Sequence, residues 1–202
     1  PRHALAYLGG LGAVAFALAG PLDAWNQASF SLHMLQHLCL VLVAAPLLIV
    51  GRPWQAFAML LAAGGGLGVA GRLLAWPPIR TGWRLLRHPA TAFLAFNGAM
   101  AIWHLPRYYV AALRDPALHE AEHLSFLLSA LLLWWQVLPP PPHRPATAVE
   151  GRALLLFGTA LAGDVVAAGL SLSTRILYPP YTGRMGLGGR DALADQRLGG
   201  LV

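Results

Sequence analysis

The sequence lacks lysine altogether and carries little charge of either sign. All 14 basic residues are arginines, and only 11% of the 202 residues are charged, about half the usual share of a soluble domain. So little polar surface could not cover the apolar residues, which make up 57% of the chain. A single cysteine, Cys39, excludes an internal disulfide framework. The net charge of +6 comes without the basic-aromatic stripe of a nucleic-acid-binding protein.

Long apolar runs indicate instead an all-α, polytopic transmembrane helix bundle that forms one domain over residues 1–202. Arginine, proline and glycine punctuate these runs, and we expect about six to seven helices. Spans are predicted over 4–20, 30–51, 89–106, 118–138 and 151–173. A further span begins near 192, and the abrupt end LGGLV suggests that its remainder is truncated.

The segment between the second and third spans is ambiguous. Its first half is apolar enough to cross a membrane, but Gly64–Gly66, Arg72 and Pro77–Pro78 interrupt it. We predict that the region near 55–75 is interfacial or re-entrant and does not cross. With that topology, the polar residues at the span ends all fall on one face of the membrane: His33, His37, His104, His119, His123 and Asp195.

Two pairs of histidines open the second and fourth spans. His33 and His37 are four residues apart, as are His119 and His123, so each pair lies on one helix face, one turn apart. An isolated pair could simply hydrogen-bond headgroups or loop carbonyls. Two pairs at matching depth favour a shared metal ion, and neutral imidazole suits copper and zinc.

Other groups on this face could support such a site. Met34 offers a soft thioether, which would favour cuprous copper. His104 could cap a helix or support a ligand, and Glu122 or Asp195 could complete the coordination shell or orient an imidazole. The loop YPPYTGRMGLGGR that precedes the last span is rich in glycine, and we expect it to be flexible.

The string HEAEH, residues 119–123, raises two alternatives. It fits the HExxH motif of zinc metalloproteases, with Glu120 as general base, and also the inverted HxxEH form. A protease needs a third protein ligand, and this interpretation leaves His33 and His37 unused. A bis-histidine haem protein is the other alternative, although such sites usually lie deeper in a bundle.

Three strings resemble, in order, the multi-span CtaG-type cytochrome c oxidase assembly factors: SLHMLQHLCLVLVAAPLLIVG, WHLPRYYVAALRDPALHEAEHLSFLLSALLLWW and LADQRLGG. The resemblance implies a non-enzymatic metallochaperone, a seven-helix membrane protein that delivers copper to a subunit of a haem-copper oxidase as its client. It makes Glu120 incidental. The site residues that it implies are His33, His37, His104, His119, Glu122, His123 and Asp195.

We therefore expect a multi-pass protein of a bacterial inner membrane that contacts lipid and an oxidase subunit, with no nucleic-acid partner. Copper is the expected cofactor, and zinc is the alternative. Arginine is slightly more frequent on the face opposite the histidines. The positive-inside rule then places that face in the cytoplasm and the histidines outside.

Single substitutions separate the assembly factor from the protease. In a protease, Glu120→Gln alone should stop cleavage of a membrane substrate, because the general base is lost, and His33→Ala should be tolerated. In an assembly factor, His37→Ala and His119→Ala should each abolish copper binding and lower the amount of active oxidase. Substrate cleavage, bound copper and oxidase activity measured on the same membranes distinguish the two.

Overall fold

Helices provide every regular element in a computed structural model that describes residues 2–139, 141 and 145–202. A π-helical segment, Cys39–Ala44, joins two of the α-helices, and 3-10 turns occur at Pro179–Tyr181 and Leu187–Gly189. The all-α prediction is confirmed. The α-helices in chain order are α1 (Arg2–Ala19), α2 (Pro21–Trp25), α3 (Phe30–Leu38), α4 (Ala45–Gly51), α5 (Pro53–Ala63), α6 (Leu67–Ala75), α7 (Pro77–Leu86), α8 (Pro89–His104), α9 (Pro106–Arg114), α10 (Pro116–Val137), α11 (Val149–Ser171) and α12 (Ala192–Leu201).

Prolines divide the chain into these helices. A proline stands in the first turn of α5, α7, α8, α9 and α10, at Pro53, Pro77, Pro89, Pro106 and Pro116. At this position the missing N–H group would have had no intrahelical partner, and the fixed φ of proline suits a helix. Each of these prolines therefore begins a helix and ends the one before it.

Among the described residues, three helical stretches are long and apolar enough to cross a membrane: Arg2–Trp25, Phe30–Ala63 and Val149–Ser171. The second contains the predicted span 30–51 and continues through α5. Helix α8 has 16 residues, fewer than the roughly 20 of a full span. Helix α10 has 22 residues, but histidine and glutamate occupy its first two turns. The membrane-spanning character is confirmed, and the total of six to seven helices stays a prediction.

Helix α10 occupies the centre of the bundle. It packs against α8, α9, α4 and the π-helical segment, while α1 covers α4, and α12 packs against both α3 and α11. One apolar cluster is rich in aromatic rings: Phe30, Met34, Tyr109, Leu170, Tyr178, Tyr181 and Ala192. The other lies further along the bundle: Val41, Ala45, Phe96, Phe126, Ala130 and Leu133. The histidine pair of α3 lies between them, since His33 contacts the ring of Tyr109 and His37 that of Phe126.

The π-helical segment follows this histidine pair directly. A π-helical turn contains an additional residue and changes which backbone groups are available for bonding. The carbonyl of Val41 in this segment accepts a hydrogen bond of 2.8 Å from the indole Nε1–H of Trp134. This bond fixes α10 against the chain immediately after the histidines of α3.

Residues 53–88 leave and return at the same end of the bundle. The ring of Trp54 lies 5.0 Å from the ring of Trp135, near the C-terminal end of α10. The ring of Trp83 lies 6.2 Å from that same ring. A segment that crossed the membrane once would have its two ends on opposite faces. The structure therefore agrees with the predicted interfacial or re-entrant segment.

Gly51, at the end of α4, generates a test of this packing. A Cβ atom there would lie 2.7 Å from Cα of Tyr7 in α1, a contact that only backbone movement could relieve. We predict that Gly51→Ala destabilises the protein by about 1–3 kcal/mol, measured as a lower midpoint of thermal unfolding in detergent. Gly12→Ala is the control, because its Cβ would meet no described atom within 4 Å and alanine favours a helix. An unchanged midpoint for Gly51→Ala would contradict the close approach of α1 and α4.

Candidate metal centre

The four predicted histidine ligands meet in the structure. Within each pair, the ring centroids of His33 and His37 are 4.5 Å apart, and those of His119 and His123 are 4.2 Å apart. Between the helices, His33 lies 5.2 Å from His119, and His37 lies 5.3 Å from His123. Four imidazoles from α3 and α10 therefore share one small space, hereafter the histidine cluster.

Helix caps place the two pairs at matching depth. The hydroxyl of Ser29 accepts a hydrogen bond from the backbone N–H of Leu32 at the start of α3. The carboxylate of Asp115 does the same for the N–H of Ala117 at the start of α10. Each cap stands four residues before the first histidine of its helix. Both pairs consequently occupy the first two turns, where neighbouring helices bring them together.

Glu122 is a fifth group in the same space. Its side chain is fully buried, with Oε2 at 3.8 Å from Nε2 of His33 and Oε1 at 3.8 Å from Nε2 of His37. Glu120, in contrast, is exposed. The glutamate that faces the histidines is therefore the one in the HxxEH position, and the general base that an HExxH protease requires points elsewhere.

Many polar atoms of the cluster are buried without a hydrogen-bond partner among the described residues. They are Nδ1 of His37, Nε2 of His119, Nε2 of His123 and both carboxylate oxygens of Glu122. Leaving such an atom unpaired costs about 1–3 kcal/mol, and more when the group is charged. A cation among the atoms of His119, His123 and Glu122 would remove most of that cost.

The distances suit an ion bound by several of these groups. The ligand atoms of His33, His119 and His123 all lie within 4.8 Å of one another, as do those of His33, His37 and Glu122. The Nε2 atoms of His33 and His37 are 3.0 Å apart. An ion about 2.0–2.1 Å from both nitrogens would form an angle of about 95° with them. Little movement would therefore be needed to bind it.

Two tyrosines orient His33. The hydroxyl of Tyr181 donates to the carbonyl of Asn26 at 2.9 Å, and the hydroxyls of Tyr109 and Tyr181 are 3.0 Å apart. Burial raises the pKa of the Tyr181 hydroxyl well above its ordinary value, so the group keeps its proton. Since a carbonyl can only accept, a continuous chain runs from Nδ1–H of His33 through Tyr109, 2.9 Å away, to Tyr181. Because the proton of neutral His33 is then on Nδ1, the lone pair is on Nε2, which faces the histidine cluster.

Sequence reasoning missed these tyrosines. The loop that was expected to be flexible begins with Tyr178 and Tyr181, which are 1% and 3% exposed and belong to the aromatic cluster. The hydroxyl of Tyr178 donates to the carbonyl of His104 at 2.9 Å. One signal in the sequence could have indicated these tyrosines. The strings PRYY and YPPY each contain two tyrosines and lie next to predicted spans on the histidine face.

Asp195 holds a helix rather than an imidazole. Its carboxylate accepts hydrogen bonds from the N–H of Phe30 at 2.7 Å, the hydroxyl of Ser29 at 3.1 Å and the hydroxyl of Ser31 at 2.5 Å. A further bond comes from the N–H of Leu187 at 3.3 Å. That Asp195 also completes the coordination shell or orients a histidine stays a prediction. The first turn of α12 meets the N-terminus of α3, whose free N–H groups attract a carboxylate.

His104 and Met34 lie beside the cluster and contact each other. Nδ1 of His104 is 2.8 Å from the carbonyl oxygen of Met100, and its Nε2 is 3.4 Å from Sδ of Met34. His104 and His37 both pack against the ring of Phe126, with centroids 6.3 Å and 4.6 Å away. His104 does not belong to the two groups of histidine and carboxylate ligands that converge among the described residues.

Comparison with known proteins gives one family. The model of the cytochrome c oxidase caa3 assembly factor family matches residues 1–202. An uncharacterized protein of Mycobacterium leprae is 28% identical over 201 residues, which are 98% of this chain and 30% of that protein. An uncharacterized protein of Mycobacterium bovis is 28% identical over 155 residues, 76% of this chain and 23% of that protein. The chain thus spans less than a third of these relatives, and no solved structure matches it.

Tyr109→Phe tests the support of His33. The substitution removes the hydroxyl next to Nδ1 and keeps the ring in the aromatic cluster. Loss of such an outer partner typically weakens metal affinity about 10–100-fold, and we predict a fall in this range, measured by competition with a chelator. Tyr108→Phe is the matched control, because Tyr108 is 37% exposed and stacks on Arg107. Equal affinity in the two variants would show that the tyrosine chain does not support the site.

Proposed function

The chain belongs to the cytochrome c oxidase caa3 assembly factor family, and we propose that its histidine cluster binds copper and passes the ion to an oxidase subunit. Family membership supports a role in assembly of that oxidase and favours a non-enzymatic protein. Copper binding and copper delivery are the proposal. In this role copper is the cargo.

The observation that supports copper most strongly is the meeting of four imidazoles and one carboxylate, most with unpaired polar atoms, at one point of an apolar bundle. Imidazole nitrogen binds both cuprous and cupric ions and also zinc. We favour copper among these metals because the family resemblance implies a haem-copper oxidase as the client. A protein that delivers its ion also needs groups that release it one after another, and five candidate ligands around one space provide such an exchange.

His119 is the group through which the ion would enter and leave. It is the least buried member of the cluster. It also lines a polar cavity of about 280 Å³ together with Asp23, Asn26 and Gln27. A carboxylate and side-chain amides at this opening attract a cation, and the remaining three histidines lie behind it. Handover would therefore proceed from the buried pair on α3 through His119 to the client.

The proposed location is a bacterial inner membrane with the histidine cluster outside. Arg80 and Arg84 of α7 are exposed and lie at the opposite end of the bundle, where Trp83 meets Trp135. The positive-inside rule places that end in the cytoplasm. The cluster would then face the compartment from which a client subunit is loaded.

The two alternatives fit the geometry less well. The HExxH protease needs Glu120 near the metal, and Glu120 is exposed. A haem iron holds two histidine nitrogens on opposite sides, roughly 4 Å apart for bonds of about 2.0–2.1 Å. Nε2 of His33 and Nε2 of His37 are 3.0 Å apart, which suits a small ion bound from one side.

Metal analysis of the purified protein tests the proposal. After loading with cupric copper and removal of loose metal, wild-type protein should retain copper in stoichiometric amount. The double variants His33→Ala/His37→Ala and His119→Ala/His123→Ala should each retain about tenfold less, since both pairs contribute ligands to one site. In cells that produce the oxidase, both should also lower the copper content of the isolated enzyme.

The matched control is His88→Asn. His88 caps α8 through a hydrogen bond from the N–H of Ala90, and asparagine can replace that cap. This variant should hold as much copper as the wild type. Full copper retention by either double variant would refute copper binding at the cluster. Loss of bound copper with normal copper in the oxidase would refute delivery alone.

A further inference from the structure

A second cavity lies next to the histidine cluster and is lined by Phe126. It has a volume of about 390 Å³ and lies between α3, α8, α11 and α12. Its lining brings together soft or basic side chains from two helices, namely Met34 of α3 and Met100 and His104 of α8. His37 of the cluster lines it as well, and its Nδ1 atom is buried without a partner among the described residues.

The hydrogen bond to Met100 fixes the proton of His104. A backbone carbonyl can only accept, so Nδ1 of His104, 2.8 Å from that oxygen, carries the hydrogen. The neutral ring then has a lone pair on Nε2. This lone pair faces Sδ of Met34 at 3.4 Å. A thioether sulfur is itself only an acceptor, so two lone-pair donors face each other with no hydrogen between them.

We propose that Nε2 of His104 and Sδ of Met34 form a second metal site, distinct from the histidine cluster, that takes a soft monovalent cation of the cuprous class. An ion about 2.0 Å from nitrogen and about 2.3 Å from sulfur would form an angle of about 105° with the two atoms at their present separation. That angle suits trigonal or tetrahedral coordination. Met100 lines the same cavity, one helical turn before His104, and is the nearest additional thioether along α8.

The donor set decides which oxidation state the site prefers. Thioether sulfur is a soft ligand that selects Cu(I), whereas zinc and cupric ions prefer imidazole and oxygen. The histidine cluster, with four imidazoles and a carboxylate, accepts either kind of ion. The thioether site would therefore hold copper only in its reduced form.

The position of the site suggests a relay within the bundle. His37 and His104 pack against the same ring, that of Phe126, and His37 lines both spaces. A cuprous ion could move from Met34 and His104 to His37 through the cavity that all three residues line. That the natural ion is copper rests on the proposed function, whereas the existence of a sulfur-ligated site does not.

Silver(I), a redox-inert probe of cuprous sites, tests the inference in the purified protein. Wild-type protein should bind one more Ag(I) per chain than Met34→Leu, and X-ray absorption at the silver edge should detect sulfur neighbours that the variant lacks. Leucine conserves the volume of methionine, so zinc binding at the histidine cluster should be unchanged in the variant and reports its folding. Met185→Leu is the control, because Met185 is 68% exposed in the loop and should retain the sulfur signal.

Two further variants keep the outcome interpretable. His104→Gln should lose the same Ag(I) ion, and it replaces Met34→Leu if that protein no longer binds zinc. His119→Ala/His123→Ala should lose zinc and keep the sulfur-ligated Ag(I). Sulfur neighbours that persist in Met34→Leu, or that are absent from the wild type, would overturn the inference. A wild-type protein that binds neither zinc nor copper at the histidine cluster, but still binds the sulfur-ligated Ag(I), would instead overturn the proposed function.

Discussion

The apolar bundle buries a group of polar atoms that have no hydrogen-bond partner among the described residues. Nitrogen atoms of His37, His119 and His123 and both oxygens of Glu122 are buried without hydrogen bonds among the described residues. The hydrocarbon core of a membrane supplies no water that could replace the missing hydrogen bonds. An ion or a client group that binds these atoms would supply the missing partners and stabilise the arrangement. The same unpaired atoms therefore make burial unfavourable and make binding favourable.

The surrounding structure holds this arrangement in place. The caps Ser29 and Asp115 begin α3 and α10 at positions that bring both histidine pairs to one depth. Asp195 ties α12 and the preceding loop to the start of α3. Tyr109 and Tyr181 fix the ring of His33 from behind. These contacts orient ligands before any ion arrives, which lowers the entropic cost of binding. His119 stays partly accessible, so a rigid interior is combined with an open edge.

The sequence predicted much of this because helical periodicity has a simple geometry. Apolar runs and prolines placed α1, α10 and α11 within a few residues of their observed ends. The four-residue spacing of His33 and His37 and of His119 and His123 predicted that each pair lies on one face of its helix. The segment 53–88, which returns to the same membrane face, places both pairs at one end of the bundle.

Contacts that depend on loops and on helix ends could not be predicted in the same way. Tyr178 and Tyr181 follow α11 in a stretch without periodicity, so periodicity could not predict that their rings would be buried against Phe30. The role of Asp195 required knowledge of which helix N-terminus α12 would meet. The facing atoms of Met34 and His104 are 70 residues apart in sequence, and no local pattern shows that two such distant side chains will meet.

Anomalous diffraction from crystals of the copper-loaded protein would locate the ion. We expect a copper peak about 2.0–2.2 Å from ring nitrogens of His33 or His37 on α3 and of His119 or His123 on α10. Ligation from both helices is the essential feature. A copper-loaded crystal with an empty cluster, or with copper bound only at surface histidines such as His3 and His88, would contradict it.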